Sequence, residues 1–443
     1  MARVHTAGII TTLGSAIFAV LALHTSVVSA DDNPQAEILH WWSSEAESKA
    51  LHVFIDSFVE QGGHYYNSSK KNQNSTRNEA IGRMSKGYSA TFTQWAASRD
   101  IQDFHDYGLI RTLDEANMGL AEELRRTLPS AVLDAVTHKD QIVAVPLNVH
   151  GENWMWYSTS LLNPDSLTLS GDWNSFLQTG EKLAEQEIPL LAVGDQNWQV
   201  RILFTSVMLG VSRDLYREFF LTMDPSVTDR EELTTTLRIF NALAKYSHSF
   251  GDGNWDEQLK AVADDRAATN FMGDWAKGEL VNLGLEPGKQ FGCMLTASDN
   301  PSVLMGVDTL ILGVVTDPAE IKGQELMLGI VTDPDINLEF NQLKGSASPF
   351  KEPSEMAMDE CSKQVYELMN DDEALIPPYA TNGEGSSFIH ILGERIYEFW
   401  KKSSESDDAP DMLVASMVEQ LATIFIDRAN WAQQNKNKIE VEE

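Results

Sequence analysis

The pattern of apolar and polar positions near the start of the chain predicts a strand followed by a helix. The tetrapeptide "EILH" at residues 37–40 is typical of a short strand. Ser44 and Glu47 then match the capping box, in which a serine precedes a glutamate by three positions at a helix start. Apolar residues follow at helical spacing: Ala50, Leu51, Phe54, Ile55 and Phe58. Trp41 and Trp42 therefore lie in a strand-to-helix turn, and open α/β sheets bind ligands at the carboxyl ends of strands.

Further along, strand-like and helix-like segments alternate. The polar segment at residues 64–80 is predicted as a loop, "SATFTQW" as a strand, and "DIQDFHDYGLI" as a short helix and turn. "QIVAVPLNVHGENWMWYS" is predicted as a strand that crosses from one lobe to another. From Asp172 onward the pattern is mostly helical, apart from the strand-like "FGCMLTA" and "VDTLILGVV". This alternation implies βα units and an α/β fold.

Residues 1–30 have the composition of a secretory signal. Arg3 precedes an apolar run, and Val28, Ser29 and Ala30 form a cleavage site of the small-x-small type. We expect cleavage after Ala30 and export to the periplasm. No later apolar run reaches the roughly 18 residues that a membrane span needs. The rest of the 443-residue chain exceeds the size at which a single core stops growing, about 250 to 300 residues, so two lobes are expected.

The charge of the chain limits its partners. It carries 33 Lys and Arg against 66 Asp and Glu, a formal net charge of −33. A charge of this sign argues against binding a phosphate backbone, so no nucleic-acid partner is expected.

The sequence contains no recognisable catalytic or metal motif. The histidines are scattered, without an HExxH pair or the short spacings of a zinc site. A calcium-loop pattern beginning at Asp333 fails because Leu338 replaces the required Gly and Lys344 the required Glu. We expect no cofactor, no metal and no enzymatic activity. A glycoside hydrolase that uses two of Glu47, Asp274 and Asp308 stays open, because such a pair needs only spatial proximity.

Several tryptophans are flanked by hydrogen-bonding side chains. They are Trp41 and Trp42 with Glu47, Trp95 with Gln94, Trp154 and Trp156 with Asn153, Trp198 between Gln196, Asn197 and Gln199, and Trp275 with Asp274. A sugar has apolar C–H faces and a rim of hydroxyls, so flat rings can cover the faces while amides and charged groups bond the rim. The alternative for each tryptophan is a place in the core.

Six segments resemble the extracellular solute-binding proteins of ABC sugar importers, in particular the periplasmic glucose/mannose-binding branch. They are "LHWWSSEAESKAL", "VPLNVHGENWMWYS", "QNWQ", "NFMGDWAKGEL", "GVDTLILG" and "FNQLKGSASP", in the family's order. The resemblance implies a two-lobed periplasmic-binding-protein fold of type II, similar to maltose-binding protein. The N-terminal lobe is expected at residues 31–145 plus about 305–345. The C-terminal lobe is expected at 146–304 plus about 346–443.

The same resemblance implies a set of sugar-binding residues. They are Trp41, Trp42, Glu47, Gln94, Trp275, Asp308, Lys344 and Thr381. Two positions depart from the glucose-binding pattern: Ala96 replaces a Lys or His, and Thr381 replaces a His. Glucose itself is therefore in doubt, whereas the sugar class is retained.

The only two cysteines are Cys293 and Cys361, and an even pair in an exported protein favours a disulfide over a metal or nucleophile site. The family's cysteine pattern supports the same pairing.

The predicted function is the periplasmic sugar-binding component of an ABC transporter. The protein is expected to be a monomer that closes on a monosaccharide or small oligosaccharide and delivers it to permease subunits in the inner membrane. The alternatives are the glycoside hydrolase and a sugar receptor for signalling or chemotaxis.

Overall fold

The computed structural model describes residues 33–163, 173–296, 301–354, 358–369, 371, 373–377, 385–406 and 408–442. The predicted signal at residues 1–30 and the predicted ligand residue Thr381 lie outside these ranges. The described residues from Asn33 onward form one compact unit.

The described residues combine short strands with helices of very different length. The strands are β1 Gln35–His40, β2 His64–Ser69, β3 Phe92–Ala96, β4 Ile110–Arg111, β5 Thr137–His138, β6 Gln141–Ile142, β7 Val145–Pro146, β8 His150–Gly151, β9 Trp154–Ser158, β10 Leu191–Ala192, β11 Ser247–His248, β12 Thr269–Met272, β13 Phe291–Leu295, β14 Val303–Gly306, β15 Asp308–Gly313 and β16 Leu375–Ile376. The helices are α1 Glu45–Glu60, α2 Gln73–Met84, α3 Arg99–Asp106, α4 Leu113–Ala116, α5 Met118–Thr127, α6 Ser130–Val136, α7 Trp173–Ala184, α8 Asn197–Val211, α9 Arg213–Tyr216, α10 Glu231–Ala244, α11 Trp255–Ala263, α12 Trp275–Asn282, α13 Pro318–Val331, α14 Pro334–Lys344, α15 Glu360–Tyr366, α16 Gly385–Glu405 and α17 Pro410–Glu442.

The first sheet has the strand order β2-β1-β3-β15-β4, and β7 pairs with β15. Strand β1 runs parallel to β2 and β3, whereas β15 is antiparallel to β3. Trp41 directly follows β1 and Ala96 ends β3. Because parallel strands end at the same edge of a sheet, the two residues mark one edge, where α/β sheets hold ligands.

The second sheet has the order β11-β10-β12-β9-β13. The chain passes from the first sheet to the second between β7 and β9 and returns between β13 and β15. Both crossings run through a small sheet in which β14 pairs with β8 and β16. The architecture is α/β as predicted, while the exact lobe boundaries stay a prediction.

Two large hydrophobic clusters hold these layers. One contains Phe54, Phe58 and Phe92 beside the first sheet and extends to Trp156 and Phe291 on the second. The other packs helices α8, α10, α16 and α17 around side chains such as Phe204, Phe219, Phe240, Trp400 and Phe425. Apolar packing is therefore continuous along the crossing segments.

Helix α1 begins as its sequence predicts. The backbone N–H of Glu47 donates to Ser44 Oγ at 3.1 Å, and the Glu47 carboxylate accepts from the Ser44 backbone, which completes the capping box. The helix then buries its predicted apolar face: Ala50, Leu51, Phe54, Ile55 and Phe58. This fixed start positions the turn that carries Trp41 and Trp42.

The prediction of a loop at residues 64–80 is wrong. The structure has strand β2 and most of helix α2 there. Strand β2 lies at the edge of the first sheet, where its backbone pairs with β1 while most of its side chains face solvent. An edge strand needs few apolar residues, so hydrophobic periodicity did not reveal it.

The predicted disulfide is confirmed. Cys293 on β13 and Cys361 on α15 are bonded, with an S–S distance of 2.04 Å. The bond ties the second sheet to a helix that follows the return crossing.

Among the described residues, no helix combines the length and apolar character needed to cross a membrane.

Candidate ligand-binding site

A cavity of about 550 Å³ lies between the two sheets. From the side of the first sheet it is lined by Trp41, Gln73, Asn74, Arg77, Trp95, Ala96, Ala97, Ser98, Arg99 and Asp100, and from the other side by Glu152, Asn197, Trp198, Arg201, Ile389, His390 and Gly393. Gly306 and Val307, at the return crossing, complete it. The volume is within the range of small-molecule sites, about 300 to 1,000 Å³.

Trp41 and Trp198 place aromatic surface on opposite walls of this cavity. Trp41 follows β1, and its backbone N–H donates to the side-chain oxygen of Gln94 at 3.1 Å. Trp198 lies in the first turn of α8 and is half-buried. Two rings from different sheets can cover the two faces of a flat, partly apolar ligand.

Gln94 and Asp308 lie beneath the first wall. Both are buried, on the neighbouring strands β3 and β15. The Gln94 amide donates to Asp308 Oδ1 at 3.4 Å, and Asn148 donates to Asp308 Oδ2 at 3.2 Å. The backbone N–H of Asp308 in turn donates to Asn148 Oδ1 at 2.8 Å. The predicted residues Trp41, Gln94 and Asp308 thus form one hydrogen-bonded chain.

His150 joins this chain to the second sheet. Its Nε2 lies 3.0 Å from Asp308 Oδ2, and its Nδ1 bonds to Asp274, whose other oxygen accepts the Gly151 N–H at 2.9 Å. Burial alone would lower the pKa of His150, but Asp274 and Asp308 raise it to about 9. His150 is therefore a buried imidazolium between two carboxylates at neutral pH.

The pKa of Asp308 shifts in the opposite direction to that of His150. Burial would raise its pKa, but His150, Lys344 and Asn148 lower the pKa to about 2. Paired charges of this kind are stable in the interior only when each is hydrogen-bonded, as both are here.

Lys344 and Glu47 form a second ion pair close to the same network. Lys344 ends α14, is only 3% exposed, and places Nζ 3.2 Å from Glu47 Oε1. The ammonium also lies 5.7 Å from the centre of the Trp42 ring. Glu47 therefore caps α1 with one oxygen and binds the Lys344 ammonium with the other.

Trp275 begins α12 and is half-buried beside this network. Its ring meets His150 edge-on at 5.3 Å and lies 6.5 Å from the Trp198 ring. Trp275 thus connects the charged network to the wall that Trp198 provides.

Trp42 has a different environment. It is 2% exposed and packs against Phe340 with ring centres 5.6 Å apart. It is not among the described residues that line the cavity. The structure therefore places Trp41 at the cavity and Trp42 behind it in the core, and the predicted ligand contact of Trp42 stays a prediction.

Sequence reasoning did not single out His150 or the cavity arginines. Arg77 forms two bonds with Asp100 and lies 5.5 Å from the centre of the Trp95 ring. Arg201 lies 3.5 Å from Glu152. His150 lies inside the quoted segment "VPLNVHGENWMWYS", but nothing in its local spacing reveals partners more than a hundred positions away.

No protein-family model matches the chain. It is 26% identical over 356 residues to a probable sugar-binding periplasmic protein of Brucella melitensis, covering 80% of this chain and 84% of the relative. It is 24% identical over 406 residues to an uncharacterised ABC transporter extracellular-binding protein of Pyrococcus horikoshii, covering 87% and 88%. The crystal structure of the GacH receptor of Streptomyces glaucescens superposes with a TM-score of 0.68 at 13% identity, covering 89% of this chain and 99% of that one.

The chain is similar to these solute-binding proteins over most of its length. The predicted two-lobed fold, similar to maltose-binding protein, is confirmed by the structural neighbours. The relatives and structural neighbours of this chain are binding proteins and not enzymes, so the glycoside hydrolase is not favoured. The glucose/mannose branch within the family stays a prediction.

Proposed function

We propose that this protein binds a sugar in the cavity between its two sheets and delivers it to the permease of an ABC importer. The observation that carries the proposal is the placement of Trp41 and Trp198 on opposite walls of one cavity rimmed by amides and charged side chains. Names of relatives support the same class, since the Brucella protein is described as sugar-binding and the Pyrococcus protein as part of an ABC transporter.

In this proposal the aromatic rings bind the apolar faces of the sugar. Amide and guanidinium groups on the rim, from Asn74, Arg77, Asn197 and Arg201, bond its hydroxyls. Gln94, Asp308, Glu47 and Lys344 are not among the described residues that line the cavity, and their contact with the sugar stays a prediction. The bonds within the pairs Gln94–Asp308 and Glu47–Lys344 already fix their orientation. A preorganised site loses less conformational entropy when the ligand arrives.

Ala96 is the position at which this cavity differs most clearly from the glucose-binding pattern. It lines the cavity with a methyl group, whereas the glucose-binding pattern that the sequence resembles has a hydroxyl-bonding Lys or His at this position. We therefore propose a sugar other than glucose, because a buried hydroxyl without a partner costs about 1 to 3 kcal/mol.

Ligand-driven closure is the proposed mechanism. Near the start of α1, Lys49 donates to Asn282 on α12, the helix that follows strand β12 of the second sheet. A ligand that touches both walls favours the arrangement in which these elements are together. We propose that the protein acts in the periplasm as a monomer. A sugar receptor for signalling would use the same closure, but its closed form would contact a different membrane partner.

A panel of mono- and oligosaccharides tests this proposal. Binding is measured by thermal shift and by intrinsic tryptophan fluorescence on the tag-free mature chain. At least one sugar should raise the melting temperature, and Trp41→Ala should weaken its binding at least tenfold, about 1.4 kcal/mol. Trp431, half exposed on α17 and not among the described residues that line the cavity, supplies the matched control Trp431→Ala.

Two results would overturn the proposal. One is a panel in which no sugar changes either signal. The other is cleavage of a bound oligosaccharide in molar excess over protein, which would indicate the hydrolase instead.

A further inference from the structure

A group of metal-binding side chains lies outside the cavity, at the end of α3. His105, Asp106 and His138 each present one ligand atom, and these atoms lie within 4.8 Å of one another. His138 comes from the hairpin of β5 and β6, which packs beside the helix end. The two imidazole rings are 5.4 Å apart and nearly perpendicular, so each can direct a nitrogen to a shared centre.

The ligand atoms converge on one carboxylate oxygen. Asp106 Oδ1 lies 3.3 Å from His105 Nδ1 and 2.8 Å from His138 Nε2. Both histidine side chains are largely enclosed, at 17% and 15% exposure. Their positions are therefore set by packing rather than by free rotation.

The far nitrogen of His105 already has the partner that a metal-bound histidine needs. Nε2 lies 2.9 Å from Gln141 Oε1, which accepts its proton. In the neutral imidazole this bond leaves the Nδ1 lone pair directed toward Asp106 Oδ1, so two acceptors face each other. A cation between them resolves the conflict, and metal-bound histidines are commonly oriented by such an outer hydrogen bond.

The chain supplies one cation of its own. Lys139 Nζ lies 2.8 Å from the same Asp106 oxygen. The Lys139 side chain is 64% exposed, so an exposed ion pair of this kind is worth little and is readily exchanged.

We propose that His105 Nδ1, Asp106 Oδ1 and His138 Nε2 bind a divalent transition metal of the zinc class, with the Lys139 ammonium displaced and water as the fourth ligand. Two imidazoles and one carboxylate form a zinc ligand set, whereas calcium and magnesium select oxygen ligands. The metal would fasten the end of α3 to the hairpin. The first residues of the same helix, Arg99 and Asp100, line the sugar cavity.

Calorimetric titration of the tag-free, chelator-treated mature chain with zinc chloride tests the site. The wild-type chain should bind one equivalent. His105→Gln and His138→Gln should each weaken binding at least tenfold. Lys139→Met should tighten it several-fold, because the competing ammonium is gone. His52→Gln changes an exposed histidine on α1 and should leave binding unchanged.

Cobalt(II) provides a second readout, because its visible absorption reports on the ligand set. The intense bands of four-coordinate cobalt should appear with the wild-type chain and disappear with His138→Gln. Absence of zinc binding would overturn the proposal. Binding that is unchanged in both His105→Gln and His138→Gln would also overturn it and would indicate an adventitious ion only. Circular dichroism of each variant separates loss of the site from loss of the fold.

Discussion

At the scale of single residues, neighbouring side chains in the sequence have separate tasks. Trp41 and Trp42 are adjacent, yet one lines the cavity and the other packs on Phe340. The sequence identified the pair as important but could not divide the roles, because the division depends on α14, which lies far along the chain.

Substitution of each tryptophan separates the two roles. Trp42→Ala should lower the free energy of unfolding by about 3 to 5 kcal/mol, because it leaves a large cavity in the core. Trp41→Ala should lose sugar affinity with little change in stability. Urea unfolding and calorimetry on the same samples measure both effects; equal loss of stability in the two variants would contradict the assignment.

His150 predicts a specific dependence of stability on pH. Its pKa is raised from 6.5 to about 9 in the folded chain. The contribution of the charged His150 to the free energy of unfolding is therefore fully present below about pH 6.5 and is lost as the pH rises through about 9. Because the pKa of Asp308 is lowered in the folded chain, the contribution of its carboxylate to the free energy of unfolding is complete above about pH 3.8 and is lost as the pH falls further. The charged pair is therefore most stabilising between these two limits.

Urea unfolding at about pH 6.5 and about pH 9 tests this dependence. The wild-type chain should lose more stability between the two values than His150→Gln does. An equal loss in both proteins would mean that other groups cause the alkaline destabilisation.

At the scale of elements, short sequence patterns predicted the helices and strands that are determined by interactions between residues close in the chain. The capping box of α1, its apolar face and strand β3 appear where the sequence places them. Strand β2 was missed because its pairing with β1 is visible only in the sheet. The proposed metal ligands His105 and His138 were likewise not predicted, because a search by short spacing cannot find residues that a hairpin brings together.

The disulfide between β13 and α15 should contribute substantially to stability. Its cysteines are separated by 68 residues, and closing a loop of that length corresponds to about 4 kcal/mol in the chain-entropy estimate. The double variant Cys293→Ser/Cys361→Ser should therefore unfold at lower urea concentration. The wild-type chain with reductant should match it, while the variant itself should not respond to reductant.

At the scale of the whole molecule, the cavity differs in character from the surface around it. The chain carries a net charge of −33, yet Arg77, Arg99 and Arg201 all line the cavity. Arg77 and Arg201 pair with Asp100 and Glu152, which also line it, and Arg99 pairs with Asp103. Such paired groups provide directed donors and acceptors with little net charge, which suits a neutral ligand rich in hydroxyls.

A crystal structure with the tightest-binding sugar of the panel is the decisive test of a sugar site between the two sheets. The sugar should lie in the cavity, with one face on Trp41 and with Trp198 on the opposite wall. Near the methyl group of Ala96 the sugar should have either no hydroxyl or a hydroxyl that is bonded to water. A sugar bound elsewhere, or one that contacts neither Trp41 nor Trp198, would contradict this prediction.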